Sequence, residues 1–290
     1  MNFSQKLKEF LSSEKSFAVV YSSLSASRIV TEKTSRLVVL DSSFNPPHLG
    51  HWSLAEKALK FNYSTNSDPQ IAQVDAIDLD VPIEPSKNVV GDKNSASALL
   101  LLLSVKNADK ANLTPAPFEH RLEMMYLMAQ KWHQVTKGDV SIGITSHAKF
   151  VDKLVAILEQ LPHPAKLTFA VGYDTLVRIL DQKYYLPDRL LDSLCEFMNT
   201  SDIFCLTRAD DPDSSVQQLQ FVDDLGRGHF AHIPKSWALS IHILNVPGLK
   251  ISLVSSSQIR RDYAEGRNSE KDSILAEVDN YILKNKLYTE

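Results

Sequence analysis

Arg36-Leu37-Val38-Val39-Leu40 runs without a break into Asp41-Ser42-Ser43-Phe44-Asn45-Pro46-Pro47-His48-Leu49-Gly50-His51. The first five residues read as a short strand with β-branched Val at its centre. Pro46-Pro47 marks a turn, and apolar residues return at helical spacing from Ser53 to Phe61. In a doubly wound sheet, ligands bind beyond the C-terminal ends of the strands. The first strand-to-helix turn is where phosphate meets unpaired backbone N–H groups and the positive helix end. His48 and His51 stand at i and i+3, on one face of the first helical turn, where imidazoles can donate to phosphate oxygens. Gly50 between them lets a nucleotide come close to the backbone. A zinc site would need a third ligand of suitable spacing, and none stands nearby.

The surrounding chain alternates strand and helix. Phe3, Leu7, Phe10 and Leu11 predict a helix over 3–12, and Phe17 to Tyr21 a strand. Residues 63–70 and 84–95 are polar and turn-rich, hence loops. Leu99 to Val105 is a nearly continuous apolar run, suited to a strand covered on both faces. Val140 to Ile144, Leu167 to Val171 and Ile203 to Thr207 repeat that signature. Helical patterns at 117–132, 150–161, 174–181, 188–199 and 274–282 fall between and after them. The alternation implies βαβ units, a parallel sheet and right-handed crossovers.

Composition removes several classes. With 290 residues, 43% hydrophobic and 23% charged, the chain can bury a core without metal or disulfide staples. Its charge of −4, from 31 Lys+Arg against 35 Asp+Glu, lacks the basic excess of proteins that grip nucleic acid. Nine glycines contain no G-x-G-x-x-G, and Gly138 and Gly143 have P-loop spacing without the following Lys and Ser/Thr. Cys195 and Cys205 sit in apolar runs and are expected to be buried free thiols in a reducing compartment. The N-terminus lacks the apolar run of a signal peptide. The longest aliphatic stretch, Ala98 to Leu103, is far short of the ~20 residues of a membrane span. The expected location is cytoplasmic, nuclear or both.

The string from Ser42 to His51 resembles the G-[ST]-F-[ND]-P-x-H-x-G-H signature of the HIGH-motif nucleotidyltransferase superfamily, with Ser42 in place of the leading glycine. Val254-Ser255-Ser256-Ser257-Gln258-Ile259-Arg260 resembles its second motif, I-S-S-[ST]-x-I-R. Three further segments resemble the nicotinate and nicotinamide mononucleotide (NMN) adenylyltransferases. They are Phe118-Glu119-His120-Arg121-Leu122-Glu123-Met124, Leu167 to Asp174 ending in Gly172-Tyr173-Asp174, and Val278 to Tyr288. Ile203 to Arg208 is similar to a strand ending in arginine in those enzymes. The resemblance runs from about residue 36 to the C-terminus. It marks the chain as a divergent, fungal-type member.

The resemblance implies an α/β fold: a doubly wound, mostly parallel sheet of Rossmann-like nucleotidyltransferase type over 36–290, with 1–35 as an N-terminal extension packed on it. It implies adenylyl transfer from ATP to NMN or nicotinate mononucleotide. His48, His51 and Arg260 would be catalytic. Ser42, Ser43, Phe44, Asn45, Gly50, Gly172, Asp174, Ser255, Ser256 and Ile259 would bind ATP. Lys106 or Lys110, Arg121 and Arg208 are candidates for the acceptor. Those enzymes stack a Trp on the pyridine ring; Asp181 to Leu186 contains none, so Tyr184 or Tyr185 would stack instead. Mg²⁺ would be bound through the ATP phosphates, with no dedicated protein metal site. The expected partners are ATP and a pyridine mononucleotide, with a homo-oligomer allowed and neither nucleic acid nor membrane. Ser42, the missing Trp and the N-terminal segment leave a second reading open: a member that binds or hydrolyses ATP as a regulatory or stress-response protein. A short relative of the aminoacyl-tRNA synthetases is disfavoured by charge and length.

Overall fold

The computed structural model describes residues 1–25, 28–63, 96–105, 115–207, 212–246, 254–267 and 273–289. Seven strands form one sheet: β1 (Phe17–Ser22), β2 (Thr34–Asp41), β3 (Ala96–Ser104), β4 (Val140–Thr145), β5 (Lys166–Gly172), β6 (Ser201–Leu206) and β7 (Ile241–Leu244). Their order is β1-β4-β3-β2-β5-β6-β7; β1 pairs antiparallel with β4 and every other pair is parallel. Without β1, the six parallel strands stand in the 3-2-1-4-5-6 order of the doubly wound dinucleotide fold. The order reverses at β2, and in sheets of this kind ligands bind beyond the C-terminal ends of the strands at that switch point, here β2 and β5.

The helices are α1 (Phe3–Leu11), α2 (Leu49–Lys60), α3 (Phe118–Thr136), α4 (Phe150–Leu158), α5 (Tyr173–Ile179), α6 (Leu190–Thr200), α7 (Pro212–Arg227), α8 (Ser256–Ala264) and α9 (Ala276–Lys284). Among the described residues no helix is long and apolar enough to cross a membrane. Continuous apolar strands are read out alternately by the two faces. Val38, Leu40, Leu99, Leu101 and Leu103 point into a core shared with α1, α2, α3, α8 and α9. Leu37, Val39, Leu100 and Leu102 point into a second core with α4, α5, α6 and α7. Two elements that periodicity does not single out complete the sheet's far side. They are α7, which buries Leu219 and Leu225, and β7, only four residues long.

Residues 1–22 share this architecture. Asn2 caps α1 by accepting from the Gln5 N–H, and Phe3, Leu7 and Phe10 are buried against the α3 side. Gly143 lies on β4, where an added Cβ would fall 2.6 Å from the Phe17 ring of β1. This glycine serves close strand packing. The two cysteines part company: Cys205 is buried on β6, where desolvation pushes its thiol up, but Cys195 is exposed. On α6 the core face is carried by Leu194, Phe197 and Met198, and Cys195 is turned away from it.

Lys153 of α4 breaks that helix's apolar stripe. Its side chain is only 3% exposed, and Nζ lies 2.5 Å from Asp41 Oδ2 at the end of β2, with the ammonium over the Phe150 ring. The pair ties α4 to the strand that leads into Ser42. Removing one partner of a buried pair leaves a stranded charge. Lys153→Met is therefore expected to lose about 3–5 kcal/mol in urea unfolding, and adding Asp41→Asn to recover most of it. An Asp41→Asn change that recovers nothing would show that the pair carries no net charge coupling.

Candidate nucleotide site at the C-terminal ends of the strands

Beyond β2 the chain stays in sheet register for one more residue, with the Ser42 N–H donating to the Leu102 carbonyl at 3.2 Å. Phe44 then takes a positive φ of 44°, a conformation uncommon for a side chain with a Cβ, and its ring is fully buried against His51. The Asn45–Pro46 bond is cis. Helix α2 begins at Leu49, four residues before the apolar pattern resumes, so His48 is its N-cap and His51 lies at the third helical position.

The two imidazoles cap the helix reciprocally. His48 Nδ1 accepts the Gly50 N–H at 3.1 Å, and His51 Nδ1 accepts the His48 N–H at 3.1 Å. A capping box ordinarily uses Ser/Thr and Glu/Gln for this; here both halves are ring nitrogens. Because each Nδ1 is an acceptor, the proton of each neutral ring sits on Nε2. The rings stack with centroids 3.8 Å apart and are less than a tenth exposed. His51 Nε2 lies 2.8 Å from Ser42 Oγ.

The loop ahead of the histidines is held from three directions. Arg260 Nη1 donates to the Asn45 carbonyl at 2.6 Å. Asn45 Oδ1 accepts the Ala116 N–H at 3.1 Å and the Tyr288 hydroxyl at 2.8 Å. Ser256 Oγ donates to the Pro46 carbonyl at 2.9 Å. Arg260 is 8% exposed, and its Nε has no hydrogen-bond partner among the described residues. Burial lowers the pKa of both Arg260 and Arg121, and the Tyr288 oxygen acts against that shift in each case. Burial also drives the Tyr288 phenol upward, so it remains a protonated donor.

The sequence-predicted residues sort clearly. Ser42, Phe44, Asn45, His48, Gly50, His51, Ser256 and Arg260 converge around this loop. Ser43 is exposed beside it. Gly172 ends β5, next to β2, and caps α5; an added Cβ there would meet nothing within 4 Å. Asp174 is exposed in the first turn of α5.

Other expected contacts are engaged within the fold. Ser255 Oγ caps α8 by accepting the Gln258 N–H, which leaves its own proton to donate, and the Ser256 proton is directed to the Pro46 carbonyl. Ile259 is 2% exposed in the core. Arg121 is 6% exposed, with Nε on the Ala116 carbonyl at 2.7 Å and its guanidinium over the Phe118 ring. It supports the loop from below.

Tyr185 is 6% exposed, with its hydroxyl on the Ile179 carbonyl, and is a core residue; Tyr184 is the exposed ring of the pair. Trp52, Trp132 and Trp237 are each 3% exposed in the cores. Lys106, Lys110 and Arg208 lie outside the described residues. Tyr288, the end of the Val278 to Tyr288 segment, is not among the expected site residues, yet its hydroxyl reaches the motif loop. The signal for it was a polar tip at the end of an otherwise apolar terminal pattern. Tyr288→Phe is expected to cost about 1 kcal/mol in urea unfolding, with the far-UV spectrum unchanged. No shift in the midpoint would mean that the hydroxyl does not hold the loop.

No protein-family model matches the chain. A Schizosaccharomyces pombe protein named "Putative nicotinamide mononucleotide adenylyltransferase" is 32% identical over 247 residues, covering 85% of this chain and 83% of its own. Plasmodium falciparum nicotinic acid mononucleotide adenylyltransferase complexed with NaAD superposes with a TM-score of 0.55 at 16% identity, over 88% of this chain and 98% of that one. The structure of that enzyme complexed with APC gives 0.52 at 15%, over 88% and 97%. These solved structures share the chain's Rossmann-like fold. With sequence identity of this extent across most of both chains, the protein belongs to the nicotinamide mononucleotide adenylyltransferase family.

Proposed function

We propose that the chain transfers the adenylyl group of ATP to a pyridine mononucleotide, NMN or nicotinate mononucleotide, releasing pyrophosphate; with NMN the product is NAD. The observation that carries this reading is the reciprocal imidazole cap. It fixes two Nε2–H donors at the start of α2, beside the switch point of the sheet and close to Arg260. These are the groups an in-line displacement at phosphorus needs, since catalysis of such a step is positioning and charge stabilisation.

In the reaction, an acceptor phosphate oxygen forms a bond to the α-phosphorus of ATP while the bond from that phosphorus to the bridging α,β oxygen breaks. The electron pair leaves with pyrophosphate. His48 would offer a hydrogen bond where negative charge grows on the phosphate oxygens, and His51 would act there through Ser42, whose Oγ its Nε2 meets at 2.8 Å. The buried guanidinium of Arg260 would add positive charge to the leaving side. Asp174, exposed at the start of α5, would accept from ribose hydroxyls, and the open space above Gly172 would take the nucleoside. Tyr184 is the exposed ring for the pyridine. The donors at the site suit phosphate oxygens, and among the described residues no three His, Cys, Asp or Glu side chains converge on a metal position. A Mg²⁺ carried by the ATP phosphates fits this donor set and would neutralise their charge.

The test is to incubate the protein with ATP and each mononucleotide and to resolve the products. Dinucleotide and pyrophosphate are expected; ADP and phosphate alone would overturn the reading in favour of hydrolysis. His48→Ala and His51→Ala are expected to lower turnover by roughly 10²–10³ while costing about 1 kcal/mol of stability as cap losses. Near wild-type rates would refute the roles given to the imidazoles. Gly172→Ala separates fold from site: its backbone, φ −78° and ψ 160°, accepts alanine. Stability is expected to rise by about 0.4–1 kcal/mol while the KM for ATP increases, because the new methyl occupies nucleotide space. An unchanged KM would place the nucleoside elsewhere.

A further inference from the structure

Ser42 is the position at which this chain departs from the family's leading glycine, and its hydroxyl lies 2.8 Å from His51 Nε2. A serine beside a histidine suggests an activated nucleophile, in which Nε2 accepts the hydroxyl proton and Nδ1 donates to an orienting group. The geometry excludes that arrangement. His51 Nδ1 accepts the His48 backbone N–H, so it carries no proton, and Nε2 is the protonated nitrogen. The hydrogen bond therefore runs from Nε2–H to Ser42 Oγ. With one lone pair of Oγ filled by His51, the Ser42 hydroxyl proton is left to point away from the ring. The described residues give Oγ no other hydrogen-bond partner.

Three features hold the relay rigid. The Ser42 N–H is fixed to Leu102 on β3, the His51 ring is packed against Phe44 and His48, and Nδ1 is tethered to the helix cap. His51 cannot swing past Ser42 without giving up its cap. We propose that Ser42 is the group that meets the nucleotide phosphate at this corner of the site, its hydroxyl donating to a phosphate oxygen while His51 Nε2–H polarises it from behind. Hydrogen bonds chained in this way strengthen one another. Where glycine stands in place of Ser42, the imidazole has no hydroxyl between it and the ligand. This inference rests on the ATP-binding reading of the site and assigns the contact within it.

The test uses the full-length chain with Ser42→Ala, Ser42→Thr, Ser42→Gly, His51→Ala and the Ser42→Ala/His51→Ala double variant. Affinity for a non-hydrolysable ATP analogue is measured by calorimetry and dinucleotide formation is measured separately. A chain that binds the analogue but makes no dinucleotide fails the proposed function, and the affinities of the variants then decide the relay by themselves. Ser42→Ala is expected to weaken analogue binding several-fold and, where transfer occurs, to lower kcat by roughly 10- to 100-fold. Threonine, which keeps the hydroxyl, should stay within a few-fold of wild type, and glycine should fall between threonine and alanine. In the double variant the combined loss should fall short of the product of the two single losses, because His51 Nε2–H strengthens the donation that Ser42 makes. Long-range ¹⁵N–¹H spectra should show His51 as the Nε2–H tautomer. An Nδ1–H tautomer, fully additive losses, or a Ser42→Ala variant that binds at least as tightly as wild type would each overturn the relay.

Discussion

Asn45 is a single residue on which three distant parts of the chain converge. Its carbonyl takes a buried guanidinium from α8, and its side-chain oxygen takes a backbone N–H from the approach to α3 and the phenol of Tyr288 near the C-terminus. A loop that must present donors to phosphate cannot also satisfy all its own polar groups from within, because its backbone is neither helix nor sheet. Asn45 resolves this by accepting from outside. An amide side chain suits that role, since one oxygen accepts two donors and adds no negative charge where phosphates are to bind. Much of the chain after β7 is arranged around that contact, with α8 delivering Arg260 and Ser256, and α9 ending in the segment that carries Tyr288.

This explains a division of labour within the two motifs. The hydroxyls of Ser255 and Ser256 and two of the guanidinium nitrogens of Arg260 are used to build the loop and cap α8. In the relay the His51 ring proton is taken up by Ser42 Oγ, and the Ser42 hydroxyl proton stands in front of it. Arg121 and Arg260 add two buried guanidinium charges beside the loop, each hydrogen-bonded to a backbone carbonyl. Their charges lie near the neutral donors of the loop. Such an arrangement favours an anion over a cation before any specific contact is made.

How much of this was legible in the chain depends on the range of the interaction concerned. The run Leu99 to Leu103 announces a strand with helices on both sides, because only a sheet covered on both faces needs apolar residues at every position. His48 and His51 announce a helix start because their spacing is local. Tyr184 and Tyr185 are equivalent in any local reading. Which ring is buried depends on the Ile179 carbonyl waiting for a hydroxyl, and Tyr185 supplies it. Cys195 lies among apolar neighbours yet faces water, since the direction of α6 against the sheet decides its face. Lys153 offers a signal that can be read in hindsight: a lysine within an apolar stripe calls for a buried acid, and Asp41 is that acid.

The sequence by itself determined the alternation of strand and helix and the place of the motif loop between β2 and α2. These follow from side-chain period and backbone preference over a few residues. Only the tertiary structure decided which side chains hold that loop. It also decided which nitrogen of each imidazole carries the proton. Those outcomes depend on which donors arrive from Ala116, Arg260 and Tyr288, and on cap bonds whose direction sequence spacing does not encode. A hydrogen bond assigns roles only when both partners are in place, and here the partners are up to 243 residues apart.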